Sequence, residues 1–411
     1  MTSRRVLVTG ISTFWGGRLA QAIEADPAVE VVIGVDDRVP TVELERTEFV
    51  QVANRHALIR RIVDAAAIDT VVDTRLVVDS TATSPRRAHE NNVMGTMNIL
   101  AGCSGADSPV RKFVFKSSAH FYGCEQDDPA FFTEDMRRPH PARAPIEKDV
   151  LEAERAVADF AARAQDAIVT VLRFANGIGP DLRTAHMRLL GLPAVPTILG
   201  FDPRYQFVHE DDIVAALGHA VGEDLPGVFN VAADGVLVLS EVVDLLGKRA
   251  LPLLPPWGTE LVAKRLLRRL GLRLPPEMLR QLRFGRGLDN RRFKATGFAY
   301  RHTTREAIVD LRHHQRTATI TRGQDSGYVW EREVEEFLRR SPSVRRPRRP
   351  PADAAGGQAP AAYDELEAGE LIGILPSLGR PDLEELRRYE AAHRERAEVL
   401  AAIDSRLETS R

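Results

Sequence analysis

Residues 5–17 read Arg5-Val6-Leu7-Val8-Thr9-Gly10-Ile11-Ser12-Thr13-Phe14-Trp15-Gly16-Gly17. A short apolar run stops at one glycine, and a helical pattern begins after the glycine pair Gly16-Gly17. A tight turn from strand to helix turns backbone N–H groups and a helix N-terminus toward an anion such as a diphosphate. Gly10 permits the turn, and Gly16 lets the helix pack close to the strand. The next apolar run, Val29–Asp36, ends in a carboxylate about 20 residues after Gly16, the interval at which a carboxylate reaches the adenosine ribose hydroxyls. Asp36 would accept those hydrogen bonds and repel a 2′-phosphate. Asp37 adds charge beside it, so NAD is expected over NADP, while Arg38 leaves NADP open. An unrelated α/β fold can carry a glycine-bearing turn, but the order strand, turn, helix, strand, Asp narrows the reading.

Outward from this turn, short Val- and Ile-rich runs alternate with amphipathic helical stretches. The strand candidates are 48–52, 70–74, 112–116 and 168–173; the helical ones are 18–25, 58–66, 91–101 and 148–162. That alternation predicts an α/β fold with a Rossmann-like, doubly wound parallel sheet over residues 1–175. Residues 176–340 read as a smaller substrate lobe with a trailing helix, carrying short strand candidates at 206–209 and 228–231. Residues 341–362 are dominated by Pro, Arg, Gly and Ala, and read as a disordered linker. In residues 363–411, Leu366, Leu371, Ile374, Leu375 and Leu378 suggest one helix. Pro381 suits the start of a second, whose apolar face carries Leu383, Leu386, Tyr389, Leu400, Ile403 and Leu407. The tail is thus expected to be a tethered helical hairpin offering a protein-partner surface.

Later segments supply a resemblance. Asn91-Asn92-Val93-Met94-Gly95-Thr96-Met97-Asn98, Ser117-Ser118-Ala119-His120-Phe121-Tyr122-Gly123 and Leu172-Arg173-Phe174-Ala175-Asn176-Gly177-Ile178-Gly179-Pro180 resemble, in order, motifs of the extended short-chain dehydrogenase/reductases. So do Phe207–Asp212, Phe229-Asn230-Val231 and the late segment Asp289–Phe298. The resemblance is to the NAD-dependent epimerase/dehydratase family that includes UDP-galactose 4-epimerase, and covers roughly residues 5–315. It implies that Gly10, Thr13, Phe14, Trp15, Gly16, Asp36 and Asp37 hold NAD. It also puts Ser118 at the active-site Ser/Thr position and Phe174 near the nicotinamide end.

The chain departs from that family where the chemistry is done. The family pattern PYxxxKLxxE falls on Pro145-Ile146-Glu147-Lys148-Asp149-Val150-Leu151-Glu152-Ala153-Glu154. A Tyr and Lys four residues apart share one helix face, where the ammonium lowers the phenol pKa and the phenol transfers a proton. Ile146 and Val150 stand in those places, and neither can move a proton. Lys148 is expected on the opposite side of the helix. His120 and Tyr122 are the nearer substitutes, although packing explains Tyr122 adequately. Thr13 replaces the middle glycine of the turn, Ala53-Asn54 the acidic adenine contact, and Asp73-Thr74-Arg75-Leu76 the small, apolar segment after the fourth strand.

The 411-residue chain is 44% hydrophobic and 28% charged, with net charge −2. That balance gives no global attraction to nucleic acid. The two cysteines form no metal-binding spacing, and no apolar run approaches a membrane span; a cytoplasmic location is expected. Arg183, His186, Arg188 and Arg204, with Arg283 and Arg286 by resemblance, could grip a nucleotide-sugar or other anion. Arg-rich surface explains the first four equally well. Residues 257–273 could form a basic amphipathic helix, suited to peripheral membrane contact or to packing in the lobe. Three functions stay open: a catalytically silenced nucleotide-binding sensor or scaffold, a nucleotide-sugar epimerase, dehydratase or reductase with altered proton transfer, and a peripheral membrane interaction protein.

Overall fold

A computed structural model describes residues 4–52, 56–105, 107–254, 275–324, 380–393 and 396–409, with 368, 372 and 375 singly. The chain forms two compact units, Met1–Tyr328 and Val329–Arg411. In the first, strands β1 (Arg4–Thr9), β2 (Val29–Asp36), β3 (Glu48–Gln51), β4 (Thr70–Asp73), β5 (Lys112–Ser118) and β6 (Ile168–Phe174) lie in one parallel sheet. The sheet has seven strands, because Gly227–Val231 pairs in parallel with β6. The stretch 228–231, expected in the lobe, is therefore the edge of the main sheet. Its pairing partner lies more than fifty residues earlier, so local sequence cannot specify where it docks.

Alternation along the strands divides the core between two faces. Val6, Val8, Val72, Val114, Leu172 and Phe174 pack with α1 (Phe14–Glu24) and the helix Glu210–Gly222. Leu7, Val71, Phe113, Phe115 and Val171 pack with the opposite helices. Those are α2 (His56–Ala65), the run from α3 (Pro85–His89) through a π-helical turn (Glu90–Gly95) into α4 (Thr96–Cys103), and α5 (Pro145–Arg163). All seven β5 residues are buried, as expected for a strand covered on both sides. Strand order reverses between β1 and β4, so the crevice for a ligand opens at their carboxyl ends.

The lobe has its own core around Leu189, Tyr205, Phe207, Val242, Met278, Leu282 and Ile308. Asn176–Ile178 pairs with Phe207–His209 and joins the lobe to the end of β6. The proposed linker, residues 341–362, lies outside the described residues. In the second unit, Arg380–His393 packs on Ala397–Thr409 through Leu383, Val399 and Ile403. The sequence reading expected one helix from Pro381 onward; the helix instead stops near His393. The buried Glu390 accepts the Arg396 N–H at 3.0 Å and pairs with its guanidinium at 2.8 Å, which fixes the start of the next helix. These interactions reverse the chain inside the stretch read as one helix.

Gly10 lies at φ +81°, and a Cβ on Gly16 would lie 2.7 Å from the Gly10 carbonyl carbon. Because the obstacle is backbone, Gly16→Ala should lower stability by about 1–3 kcal/mol, the usual cost of overpacking. Urea melts of the two proteins measure the difference.

Candidate dinucleotide and ligand site

The β1–α1 turn carries its own cap. Thr13 Oγ1 donates to the Gly10 carbonyl at 2.6 Å and accepts from Gly16 N at 3.1 Å. It thereby satisfies one of the amides that a helix start otherwise leaves open. Phe14 and Trp15 form the first turn of α1 with their rings edge to face, 4.9 Å apart. Asp36 closes β2, and its carboxylate accepts from Ser12 N at 2.9 Å and Ser12 Oγ at 2.5 Å. This bridges the two loops that a dinucleotide would span. Asp37 is exposed, and its carboxyl is pushed up chiefly by hydrogen bonding with Asp36. Gly10, Thr13, Phe14, Trp15, Gly16, Asp36 and Asp37 thus lie together at the carboxyl ends of β1 and β2. Ala53 and Asn54 lie outside the described residues.

Across the crevice, Arg75 lies over the same turn. Its Cγ would be 2.5 Å from a Cβ on Gly10, and its Nη1 2.6 Å from one on Gly95. The guanidinium pairs with the fully buried Asp73, Nε to Oδ1 at 3.1 Å, and Thr9 Oγ1 also bonds that carboxylate at 2.9 Å. The bulk noted in the sequence is therefore ordered, and its charge is locally matched. Lys116, on β5, was not singled out by sequence reading. It is 4% exposed, with Nζ 5.3 Å from the Trp15 ring centroid and 5.7 Å from that of Phe174. The available signal was a second lysine, after Lys112, in the strand-like run 112–116.

Ser118 ends β5 and caps a 3₁₀ turn, Ala119–Phe121. Its Oγ lies 2.9 Å from His120 Nδ1. Burial holds the His120 imidazolium well below its ordinary pKa, with Arg286 and other cations adding to the effect. His120 is consequently neutral at pH 7. Tyr122 accepts from Arg173 Nη1 and donates to Asn230 Oδ1, both at 2.8 Å, and stacks on Phe132. On α5, Ile146 and Val150 are 1% and 0% exposed, on the face that also buries Ala153 and Val157. Lys148 points to solvent.

Ser118 and His120 line a small cavity of about 80 Å³ with Asp79, Asn176, His186 and Glu277. His186 Nε2, Glu277 Oε1 and the nearby Gln281 Nε2 are buried without hydrogen-bond partners. Glu277 and Gln281 come from a helix about 160 residues after Ser118, a separation across which no local pattern points to this grouping. Among the cleft arginines, Arg286 is buried and donates to the Gly123 carbonyl at 2.9 Å. Arg283 stacks between Phe201 and Phe284. Arg183 is exposed, and Arg188 pairs with Asp79 at 3.5 Å. Residues 257–273 lie outside the described residues. Among the described residues, no helix is long and apolar enough to cross a membrane, and no group of three or more His, Cys, Asp or Glu residues could hold a metal ion.

The family model described as the NAD dependent epimerase/dehydratase family matches residues 6–232. Over 313 residues, 74% of this chain and 82% of its relative, the sequence is 36% identical to Uncharacterized protein Rv0501 of Mycobacterium tuberculosis. An uncharacterized Mycobacterium bovis protein, Mb0513, matches to the same extent. Among solved structures, MoeE5 in complex with UDP-glucuronic acid and NAD has TM-score 0.57 at 23% identity, covering 76% of this chain and 99% of that one. UDP-glucuronic acid 4-epimerase from Bacillus cereus, in complex with UDP-glucuronic acid and NAD, has TM-score 0.59 at 16% identity over 76% of this chain and 99% of its own. At these identities the structural likeness is one of fold.

Burial lowers the His186 pKa from 6.5 to about 4, against a smaller opposing pull from Asp79. Below pH 6.5 the unfolded chain therefore binds a proton that the fold refuses. This contribution to stability is lost as pH falls, by up to about 1.4 kcal/mol per pH unit until the folded pKa is reached. His186→Asn removes the linkage. Between pH 7 and pH 5 the wild type should lose stability relative to this variant in paired urea melts.

Proposed function

The chain belongs to the NAD dependent epimerase/dehydratase family, and from that premise we propose that it binds NAD as a sensor or scaffold lacking the Tyr/Lys proton transfer. The observation carrying this reading is the buried, wholly apolar pair Ile146 and Val150 on α5. Ile146 offers no donor at any distance, and an apolar neighbour in place of a lysine leaves no cation to activate one. Gly10 and Gly16, where a Cβ would collide with Arg75 and with the Gly10 backbone, keep the strand-to-helix turn tight, and a tight turn of this kind turns amides and a helix start toward a diphosphate. Asp36 and Asp37, at the end of β2, favour NAD over NADP. The neighbours MoeE5 and the Bacillus cereus epimerase, each in complex with NAD and a UDP-sugar, support the same ligand classes here.

When bound, the dinucleotide supplies a hydride acceptor or donor. The chain's own residues hold and orient it: Thr13 fixes the helix start, Asp36 meets the ribose, and Trp15 and Phe174 border the far half. Ser118, His120, His186 and Glu277 offer hydrogen-bonding groups to a nucleotide-sugar or another anionic small molecule. The C-terminal helical pair is the surface proposed for a protein partner.

A second reading keeps catalysis, as a nucleotide-sugar epimerase, dehydratase or reductase with altered proton transfer. The 2.9 Å contact between Ser118 Oγ and the neutral His120 Nδ1 favours it, because that nitrogen can accept a proton through Ser118.

Calorimetry should give at least about tenfold tighter binding of NAD than of NADP. Like charges at short range cost on the order of 1–4 kcal/mol, so tighter NADP binding would overturn the cofactor assignment. With UDP-glucose and UDP-glucuronic acid, the sensor reading expects no turnover by the wild type. The double substitution Ile146→Tyr, Val150→Lys should then introduce measurable activity if the rest of the pocket is intact. Ordinary wild-type turnover that drops by about 10²–10⁴-fold in His120→Ala would establish the second reading instead.

A further inference from the structure

The two lysines of β5 are buried in different ways. Lys112 Nζ donates to the carbonyls of Val221 and Glu223 and pairs with Asp224 at 2.8 Å. Lys116 is as deeply buried, but among the described residues its Nζ has no hydrogen bond and no carboxylate within 4 Å. It faces the rings of Trp15 and Phe174, whose π faces hold a cation at modest cost. The carboxylate felt most strongly, Asp73, is already engaged by Arg75 and Thr9.

In a doubly wound sheet a dinucleotide lies across the carboxyl ends of the strands, its diphosphate at the turn after β1. With Asp36 of β2 at the adenosine end, the nicotinamide half falls over β4, β5 and β6. Lys116 is two residues from the carboxyl end of β5, and Trp15 and Phe174 border the same place. We infer that the Lys116 ammonium makes the cleft selective for the reduced dinucleotide, holding NADH more tightly than NAD⁺. The two ligands differ in the charge of the nicotinamide ring, which is positive when oxidised and neutral when reduced. A buried ammonium without a counter-charge repels the first and leaves the second unaffected. Burial pushes the Lys116 pKa down to about 8, so the group keeps its proton at pH 7. A fold lacking the Tyr/Lys pair could then follow the NADH/NAD⁺ ratio by population shift without consuming the ligand.

This inference rests on the dinucleotide-binding reading above, and the test separates the two. The full chain is titrated at pH 7 by calorimetry with NADH, NAD⁺ and ADP-ribose, which lacks the nicotinamide. NADH should bind at least about tenfold more tightly than NAD⁺, equivalent to about 1.4 kcal/mol. In Lys116→Met the two affinities should converge to within about twofold through tighter NAD⁺ binding. Unchanged ADP-ribose affinity in that variant reports an intact cleft; if it fails to fold, Lys116→Gln takes its place. Equal wild-type affinities for NADH and NAD⁺, or a preference that survives substitution, overturn the inference alone. Failure of all three ligands to bind overturns the dinucleotide-binding reading and this inference with it.

Discussion

The organising constraint is the close approach of α1 to the turn after β1. Gly16 meets the backbone of Gly10 at a distance that excludes a side chain. With the helix seated so closely, its first turn and the strand ends share one crevice at the reversal of strand order. Thr13 caps the helix, Ser12 is bonded to Asp36, and Arg75 lies against Gly10. A side chain at Gly16 would push the helix outward and disturb all three. The tight turn after β1 is thus the same geometry that seats the helix on the sheet.

Charge near this crevice is handled unevenly. Asp73 and Arg75 neutralise each other under cover, and Arg173 and Glu154 do the same, with Nη2 to Oε2 at 2.7 Å. Burying such pairs costs desolvation that their mutual attraction and hydrogen bonds offset. Lys116, His186 and Glu277 lack an equivalent match, and burial shifts each toward its neutral form. Unmatched polar groups gathered beside a cleft are more informative than matched ones, because a stable fold gains nothing by retaining them. His186 and Glu277 line the cavity beside Ser118, and Lys116 lies two residues earlier on β5.

Much of the first unit was legible in sequence. The strands were read to within a residue or two because parallel strands covered on both faces appear as uninterrupted Val- and Ile-rich runs. Helix starts were less legible: α1 begins at Phe14 and α5 at Pro145, before the amphipathic patterns become recognisable. The cap by Thr13 and the Pro at the first helical position supply the missing turns. The tail was misdivided because apolar spacing continues across the chain reversal between its last two helices.

The sequence by itself determined the parallel sheet, the glycine turn, the carboxylate at the end of β2 and the identities Ile146 and Val150. Each is local: a periodicity, a backbone requirement or a residue type within one element. Only tertiary structure decided that 227–231 completes the sheet, that Arg75 is matched by Asp73, and that Lys116 faces Trp15 and Phe174. It also brought Glu277 and His186 to the cavity beside Ser118. These depend on distances between elements far apart in the chain, and side-chain burial and charge balance exist only once those elements have packed.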